Sequence, residues 1–425
     1  MPKEENTSVF ENKNLQFPKG FLWGAATASH QVEGNNKNDW TEWEKGLASR
    51  LASEARSKFG HLPNWKEIEK DATNPENYIS GIACDHYNRY KEDFKLAKEL
   101  GHNATRFSIE WSRIEPEEGK FDEEAIAHYR DVIKTCRENG LEPFVTLWHW
   151  TMPLWLARKG GFSNKKFPKY FEKYVGKITE RIGSEIKFWV TLNEPDVVAS
   201  HSYLKGVWPP QKRNFITYYK SLSNLKNAHK LAYIKIKDNY PDSRVGIAKH
   251  QVSFVILRQN ITNFLLKKCG HYFWNRWFLN RIKNHQDFIG LNHYNRNVVD
   301  GGFGKNPNKQ LTDFGWEFYP ESIYQSLLEL KSYNKPIYIT ENGIADANDN
   351  MRGRFIERAL SSVGNSIKSG ADVRGYMYWS LLDNFEWDKG FWPRFGLIEI
   401  DYDTLERRPR PSAFVYKKII ENNSL

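Results

Sequence analysis

Cysteine is nearly absent from this sequence: Cys84, Cys136 and Cys269 are the only three in 425 residues. They are odd in number, far apart and outside any CxxC or Cys/His spacing, which argues against a disulfide framework and a metal motif. Isolated thiols suit a reducing compartment, so a cytoplasmic location is expected. Long apolar runs are missing too. The richest, Val252 to Leu266, is broken by Arg258, Gln259 and Asn260, and no transmembrane helix follows from it. The opening MPKEENTSVFENKNLQF lacks the apolar stretch of a secretory signal, so the sequons Asn6-Thr-Ser and Asn260-Ile-Thr carry little weight. No Gly-rich phosphate loop follows the first strand-like run. No HExxH or clustered His/Asp spacing occurs, and neither a metal nor a cofactor is expected. Lys and Arg outnumber Asp and Glu by 62 to 52, giving a net charge of +10. The cations read as dispersed among acids, which implies a solvated basic surface and no nucleic-acid or membrane partner.

What the chain does have is aromatic side chains. Trp, Tyr and Phe make up 15% of it, with 16 Trp alone. Such an excess implies a thick core or a site that stacks flat ligands, and the apolar faces of sugars fit the second reading. After a polar tail over residues 1–16, strand-like runs alternate with amphipathic helical runs in one domain over 17–425. The strands are expected at Phe21–Thr27, Asn103–Ile109, Glu142–Trp148, Ile186–Leu192, Arg244–Ala248, Gln286–Asn292, Pro336–Thr340 and Val373–Trp379. Helices are expected at Tyr87–Gly101, Tyr129–Glu138, Pro168–Ile182 and Ser221–Asn239. A long helical excursion is expected over Ala48–Tyr78. Eight strand–helix units at this length predict an α/β fold, a closed (β/α)8 barrel, with a doubly wound open sheet as the alternative.

In such a barrel the chemistry sits at the C-terminal ends of the strands. Those ends carry Gln31 and Glu33, Arg106, His149-Trp150, Asn193-Glu194, Asn292-His293-Tyr294, Glu341-Asn342, and Trp379 with Glu386-Trp387 beyond. Two carboxylates, Glu194 and Glu341, end the fourth and seventh strands, across the barrel mouth from one another. A glycosidic oxygen is a poor leaving group that needs a proton donor, and the anomeric carbon needs an anion beside it. A pair of carboxylates supplies both.

The segments FLWGAATASHQVEG, TRFSIEWSRIEP, LWHW, TLNEP, DFIGLNHY, IYITENG and YMYWSLLDNFEW stand in that order. Together they resemble glycoside hydrolase family 1, the β-glucosidase family, over almost the whole chain. The resemblance implies a retaining, two-step β-glycosidase acting on terminal non-reducing β-glycosides, with Glu194 as acid/base and Glu341 as nucleophile. It implies Arg106 and Tyr294 beside the nucleophile, with Asn292 supporting Tyr294. It implies Gln31, His149, Asn193, Glu386 and Trp387 on the sugar hydroxyls, Asn193 at the 2-hydroxyl, Trp379 beneath the sugar and Trp316 on the leaving-group side. Glu33 is expected to support rather than catalyse. His293 stands where the family commonly has tyrosine, and an altered packing is expected there. The helix before strand six joins it through Asn280–His285, a short connection, and Asp300–Phe314 on the active face is also short. Lost peripheral cover and a wider leaving-group side are expected. In NFEWDKGFWPRFGLIEID, Glu386 would repel a sugar phosphate, Lys389 and Arg394 read as solvated loop cations, and Phe395 lacks a phosphate-binding hydroxyl. An unphosphorylated β-glucoside or β-galactoside is therefore expected. A catalytically dead sugar-binding relative would keep the fold and the aromatics but usually lose a catalytic Glu, and both are present.

Overall fold

Strands that are buried on both faces read as continuous apolar runs rather than alternating ones, and they pair in parallel beneath covering helices. The computed structural model describes residues 15–425. Its eight such strands are β1 (Leu22–Ala26), β2 (Ala104–Ser108), β3 (Glu142–Thr146), β4 (Phe188–Asn193), β5 (Arg244–His250), β6 (Phe288–Asn292), β7 (Ile337–Asn342) and β8 (Val373–Trp379). Each pairs in parallel with its neighbours in sequence. β1 also pairs with β8 through Leu22–Gly375 to Ala26–Trp379, which closes the barrel. Every expected strand overlaps an observed one, and the open-sheet alternative is excluded by this closure.

Large side chains fill the barrel interior. Phe144 and Phe188 stack at 4.3 Å, and Phe288 and Tyr338 meet them edge-on. Room for them comes from small residues on neighbouring strands. At Gly24 a Cβ would fall 2.1 Å from the Ala104 carbonyl oxygen, so only glycine lets β1 and β2 pair there. A second, larger apolar shell lies between the barrel and its helices, with Trp111, Trp189, Tyr174 and Tyr376 fully buried in it.

The helices depart from expectation mainly at their starts. The one expected from Tyr129 runs Glu123–Glu138, because the Asp122 carboxylate caps the amides of Glu124 and Ala125. The one expected from Ser221 runs Phe215–Asn239, capped by Asn214 on the amide of Thr217. The excursion expected over Ala48–Tyr78 starts at Asp39, under an Asn38 capping box. It is two helices, Asp39–Phe59 and Trp65–Ala72, interrupted at Gly60. Of the expected polar tail, residues 1–14 lie outside the described residues. Leu15 is buried and Gln16 bridges Ser424. Beyond the barrel, Ser253–Ile256 pairs with Arg296–Val299 past the ends of β5 and β6, and Ile398–Ile400 pairs with Arg407–Pro409 after β8. No helix among the described residues is long and apolar enough to cross a membrane.

Candidate active site

The barrel opens at the C-terminal ends of its strands into a cavity of about 790 Å³. Gln31, His149, Glu194, Tyr294, Trp316, Glu341, Trp379, Glu386 and Trp387 all line it. Arg106, Asn193 and Asn292 stand just behind this wall, fully buried. All twelve residues singled out in the sequence therefore converge.

Glu341 ends β7 with both oxygens held. Arg106 on β2 donates to Oε1 from Nη1 at 2.6 Å, and the Tyr294 hydroxyl donates to Oε2 at 2.6 Å. The other guanidinium nitrogen, Nη2, reaches Asn193 Oδ1 at 2.7 Å, and Nε reaches Thr146 Oγ1 at 3.0 Å. Arg106 has no freedom left, so it fixes the carboxylate in space.

Glu194 follows β4 as the first residue of a sharp turn into the helix Pro195–Ala199. Its backbone lies in the left-handed region, φ 45°, and its amide donates to the Ala248 carbonyl on β5 at 2.8 Å. Trp150 (φ 79°) and Trp387 (φ 51°) share this uncommon conformation. Three side chains aimed into the cavity thus stand on left-handed backbone.

Asn292 links the two carboxylates. Its Nδ2 donates to Glu194 Oε1 at 2.8 Å and to Asn193 Oδ1 at 3.0 Å, and it also favours the ionised form of Glu341. Thr340 orients that amide by donating to Oδ1 at 2.7 Å. The support for Tyr294 expected of Asn292 is not its hydrogen-bonding role, since its amide goes to Glu194 and Asn193 instead. Asn193, with Oδ1 occupied by Arg106 and Asn292, donates from Nδ2 to His149 Nε2 at 3.0 Å. One amide hydrogen of Asn193 remains for a ligand.

Burial raises the proton affinity of both carboxylates, but their neighbours differ. At Glu341 the Arg106 cation and the Tyr294 hydroxyl oppose burial. At Glu194 the negative charge of Glu341 adds to burial, and its pKa stands well above the usual carboxylate range. Glu194 is therefore the proton holder of the pair, and the two titrate together. Burial and nearby Arg106 keep His149 neutral. With Nε2 accepting from Asn193, its proton sits on Nδ1, which has no partner. Gln31 donates to Asn384 Oδ1 and the Phe385 carbonyl, leaving Oε1 without a partner as well. The wall thus holds one unpaired donor and one unpaired acceptor. Burial raises Glu386 to about 8. Trp387 stacks on His149 at 6.0 Å, as does Trp379, and Trp316 packs on Tyr294 at 5.3 Å.

Glu33, His293 and Arg394 fall outside the cavity, whereas Lys389 lines it. Glu33 is tied to Arg113 and Tyr129. His293 turns away to Gln251 and Ser322. Lys389 and Arg394 are not the solvated cations expected. Lys389 pairs with Asp388 at 2.8 Å, and Arg394 lies against Asp383 and the Tyr402 ring.

Sequence reasoning missed the outer wall and one buried ion pair. Trp43, Leu47, Leu51 and Phe59 of helix Asp39–Phe59 line the mouth, as do Trp208 and Trp274. Their i, i+4 spacing was visible but reads equally as core. Lys249 Nζ meets Asp196 Oδ2 at 2.9 Å, both buried, directly behind Glu194. Nothing local in the sequence pairs residues 53 positions apart.

A barrel whose mouth sets two unlike carboxylates face to face, among aromatic walls and with no metal cluster among the described residues, defines a glycoside hydrolase site. The family model for glycosyl hydrolase family 1 matches residues 13–282 and 278–425, and the chain belongs to that family. Beta-glucosidase A of Thermotoga maritima is 33% identical, with 96% of this chain and 99% of that one aligned. A beta-galactosidase of Pyrococcus woesei is 29% identical over 96% of this chain and 98% of its own. Among solved structures, a beta-glycosidase from Pyrococcus horikoshii superposes with a TM-score of 0.85 at 37% identity, covering 97% of this chain and 96% of that one. The Thermotoga maritima beta-glucosidase in complex with glucoimidazole gives 0.85 at 31%, covering 96% and 100%. The enzyme is a β-glycosidase.

Proposed function

We propose that this enzyme releases terminal non-reducing β-glycosyl residues with retention of configuration, through a covalent glycosyl-enzyme on Glu341. The observation that carries this reading is the asymmetry of the two carboxylates. Glu341, held at both oxygens by a cation and a hydroxyl, is built to stay ionised and aimed. Glu194, with burial and a neighbouring anion, is built to hold a proton. In the first step a Glu341 oxygen bonds to the anomeric carbon and the glycosidic C–O bond breaks. The proton of Glu194 goes to the departing oxygen. In the second step water attacks the same carbon, its proton returns to Glu194, and Glu341 leaves as carboxylate.

The unpartnered His149 Nδ1 and Gln31 Oε1, with Glu386, supply the hydroxyl contacts of the sugar, and Asn193 has one hydrogen left for the 2-hydroxyl. Trp379 is the platform beneath the ring, and Trp316 walls the leaving-group side. The substrate is an unphosphorylated β-glucoside or β-galactoside. Below pH 8 Glu386 is largely protonated and repels a phosphate only weakly. The stronger argument is that Lys389 and Arg394 are already paired with carboxylates. The three unpaired cysteines, two of them buried, suit work in the cytoplasm.

Replacing the nucleophile tests the mechanism. Glu341→Gly should abolish hydrolysis of aryl β-glucosides, and azide should restore turnover with an azide product of inverted configuration. Near-normal hydrolysis by Glu341→Gly would overturn the assignment. A clear preference for the aryl glucoside 6-phosphate over the parent glucoside would overturn the substrate reading.

A further inference from the structure

The basic excess of this chain is not dispersed as its composition suggests. Residues 197–286 hold sixteen Lys and Arg but only two acids, Asp238 and Asp242. That is +14 within the stretch, against +10 for the whole chain, and three of these cations, Lys237, Lys249 and Arg258, pair with Asp287, Asp196 and Asp300 from outside it. The stretch folds as one flank of the barrel: helix Phe215–Asn239, β5, helix Ile261–Gly270 and the turns leading to helix Trp277–Ile282.

The same flank exposes large apolar side chains. Ile261 is 79% exposed, Phe273 66% and Phe215 67%, with Ile216, Phe264 and Leu265 also exposed. Ile261, Phe264, Leu265 and Lys268 recur at i, i+3, i+4 and i+7, so the helix turns an apolar stripe outward while Asn263 faces in. Soluble proteins rarely leave so many large apolar groups together on one face without a partner for it. Further aromatic side chains of the flank pack on one another. Phe303 packs on Phe254 and against Gly270, and Tyr219 meets Trp277 at 6.1 Å. Cations frame them: Lys220, Lys267 and Lys268 form no ion pair with any described acid, and Lys268 lies over the Phe264 ring. Lys230 and Arg281 both stand close enough to repel the Lys226 ammonium.

We propose that this flank docks on an anionic lipid surface, with Ile261, Phe264, Leu265 and Phe273 entering the headgroup region and Lys220, Lys267 and Lys268 meeting lipid phosphates. An apolar stripe bordered by lysines, with Tyr219 and Tyr272 exposed beside it, is the composition of a helix that lies in the plane of an interface. A second copy of the chain is the poorer occupant, because a two-fold contact would set like charges against each other. A nucleic acid would match the cations but leave the phenylalanines and isoleucines facing a phosphate backbone. The face also adjoins the active-site mouth: Trp274, next to exposed Phe273, lines the cavity, as do Val207 and Arg213. Docking would hold the mouth at the membrane surface.

Cys269, the only exposed cysteine, lies within this face and serves as the site for an environment-sensitive dye. The labelled full-length enzyme is mixed with phosphatidylcholine vesicles with and without about 30% phosphatidylglycerol. At low salt the protein should sediment with the anionic vesicles and the dye emission should shift to the blue. About 0.5 M salt should weaken this binding tenfold or more. Lys267→Glu with Lys268→Glu should weaken binding by a similar factor. Phe264→Ser with Phe273→Ser should remove the dye shift while vesicle-free hydrolysis of aryl glycosides stays unchanged. Failure to sediment with anionic vesicles at low salt would overturn the proposal. So would unchanged binding by the serine variant, preferential binding to duplex DNA, or a wild-type dimer that Phe273→Ser splits.

Discussion

Tyr294→Phe removes one oxygen atom from the site and little else. The hydroxyl donates to Glu341 Oε2 at 2.6 Å, in a buried setting and to a charged acceptor. A hydrogen bond of that kind contributes about 1.5–3 kcal/mol. At about 1.4 kcal/mol per tenfold, kcat/KM should fall by roughly 10- to 150-fold, provided the bond serves the ionised nucleophile. The ring remains, packed on Trp316 and Phe395, so stability should change by no more than about 1 kcal/mol. The pH profile is the sharper readout. The hydroxyl lowers the proton affinity of Glu341 against the rise caused by burial. Losing it raises the affinity of the nucleophile for a proton, so the acidic limb of kcat/KM must move to higher pH. Aryl β-glucoside hydrolysis followed across pH 4–9, with a melting curve for each variant, decides the matter. A variant within about twofold of the parent, with its acidic limb unmoved, would show that Tyr294 does not serve Glu341.

Glu194→Ala should cripple glycosides with poor leaving groups, by about 100-fold or more, and spare the first step with good ones, whose second step becomes limiting; equal losses across leaving groups would refute an acid role. Lys249→Met leaves the buried Asp196 anion unneutralised behind Glu194, so the alkaline limb should move up. Asp196→Asn leaves the buried cation, so that limb should move down, and the double variant should return close to the parent; shifts of the same sign would refute the charge argument. Each single variant should lose about 3–5 kcal/mol of stability in denaturant titration, since one buried charge loses its partner. Glu386 binds its proton more tightly folded, at about 8, than its ordinary 4.5, so folding stability falls as pH rises between those values. Glu386→Gln should therefore raise the melting temperature more at pH 9 than at pH 5, while KM for the glycoside rises; an equal gain at both pH values would contradict this.

The eight barrel strands were legible because each is a short run buried on both faces and flanked by helix-stop residues, a signal carried by neighbours in sequence. Val373–Trp379 matches its expected bounds, and the other seven differ by a few residues at one or both ends. Helix starts were less legible. Glu123–Glu138 begins in a polar first turn whose only signal is the Asp122 cap, and Asp39–Phe59 begins at a capping box that was not recognised. Glu194, Glu341 and their partners were legible because they close strands four and seven beside asparagines. Arg394 was misread as solvated, since the carboxylate beside it, Asp383, also pairs with Arg410 on another segment, and Lys389 was misread although its partner Asp388 is its sequence neighbour.

By itself the sequence determined the α/β alternation, the residues at each strand end and the two carboxylates, because these follow from periodicity and from short motifs. The tertiary structure decided which carboxylate holds the proton. That depends on burial and on Arg106, which is 235 residues from Glu341 in the chain and in contact only because β2 and β7 share one barrel. It likewise decided that Asn292 serves Glu194 rather than Tyr294, and that Lys249 neutralises Asp196. Finally, it decided that a basic stretch and an apolar stripe occupy one flank. Proton affinities and surface patches are sums over neighbours in space, and neighbours in space are set by how the barrel closes.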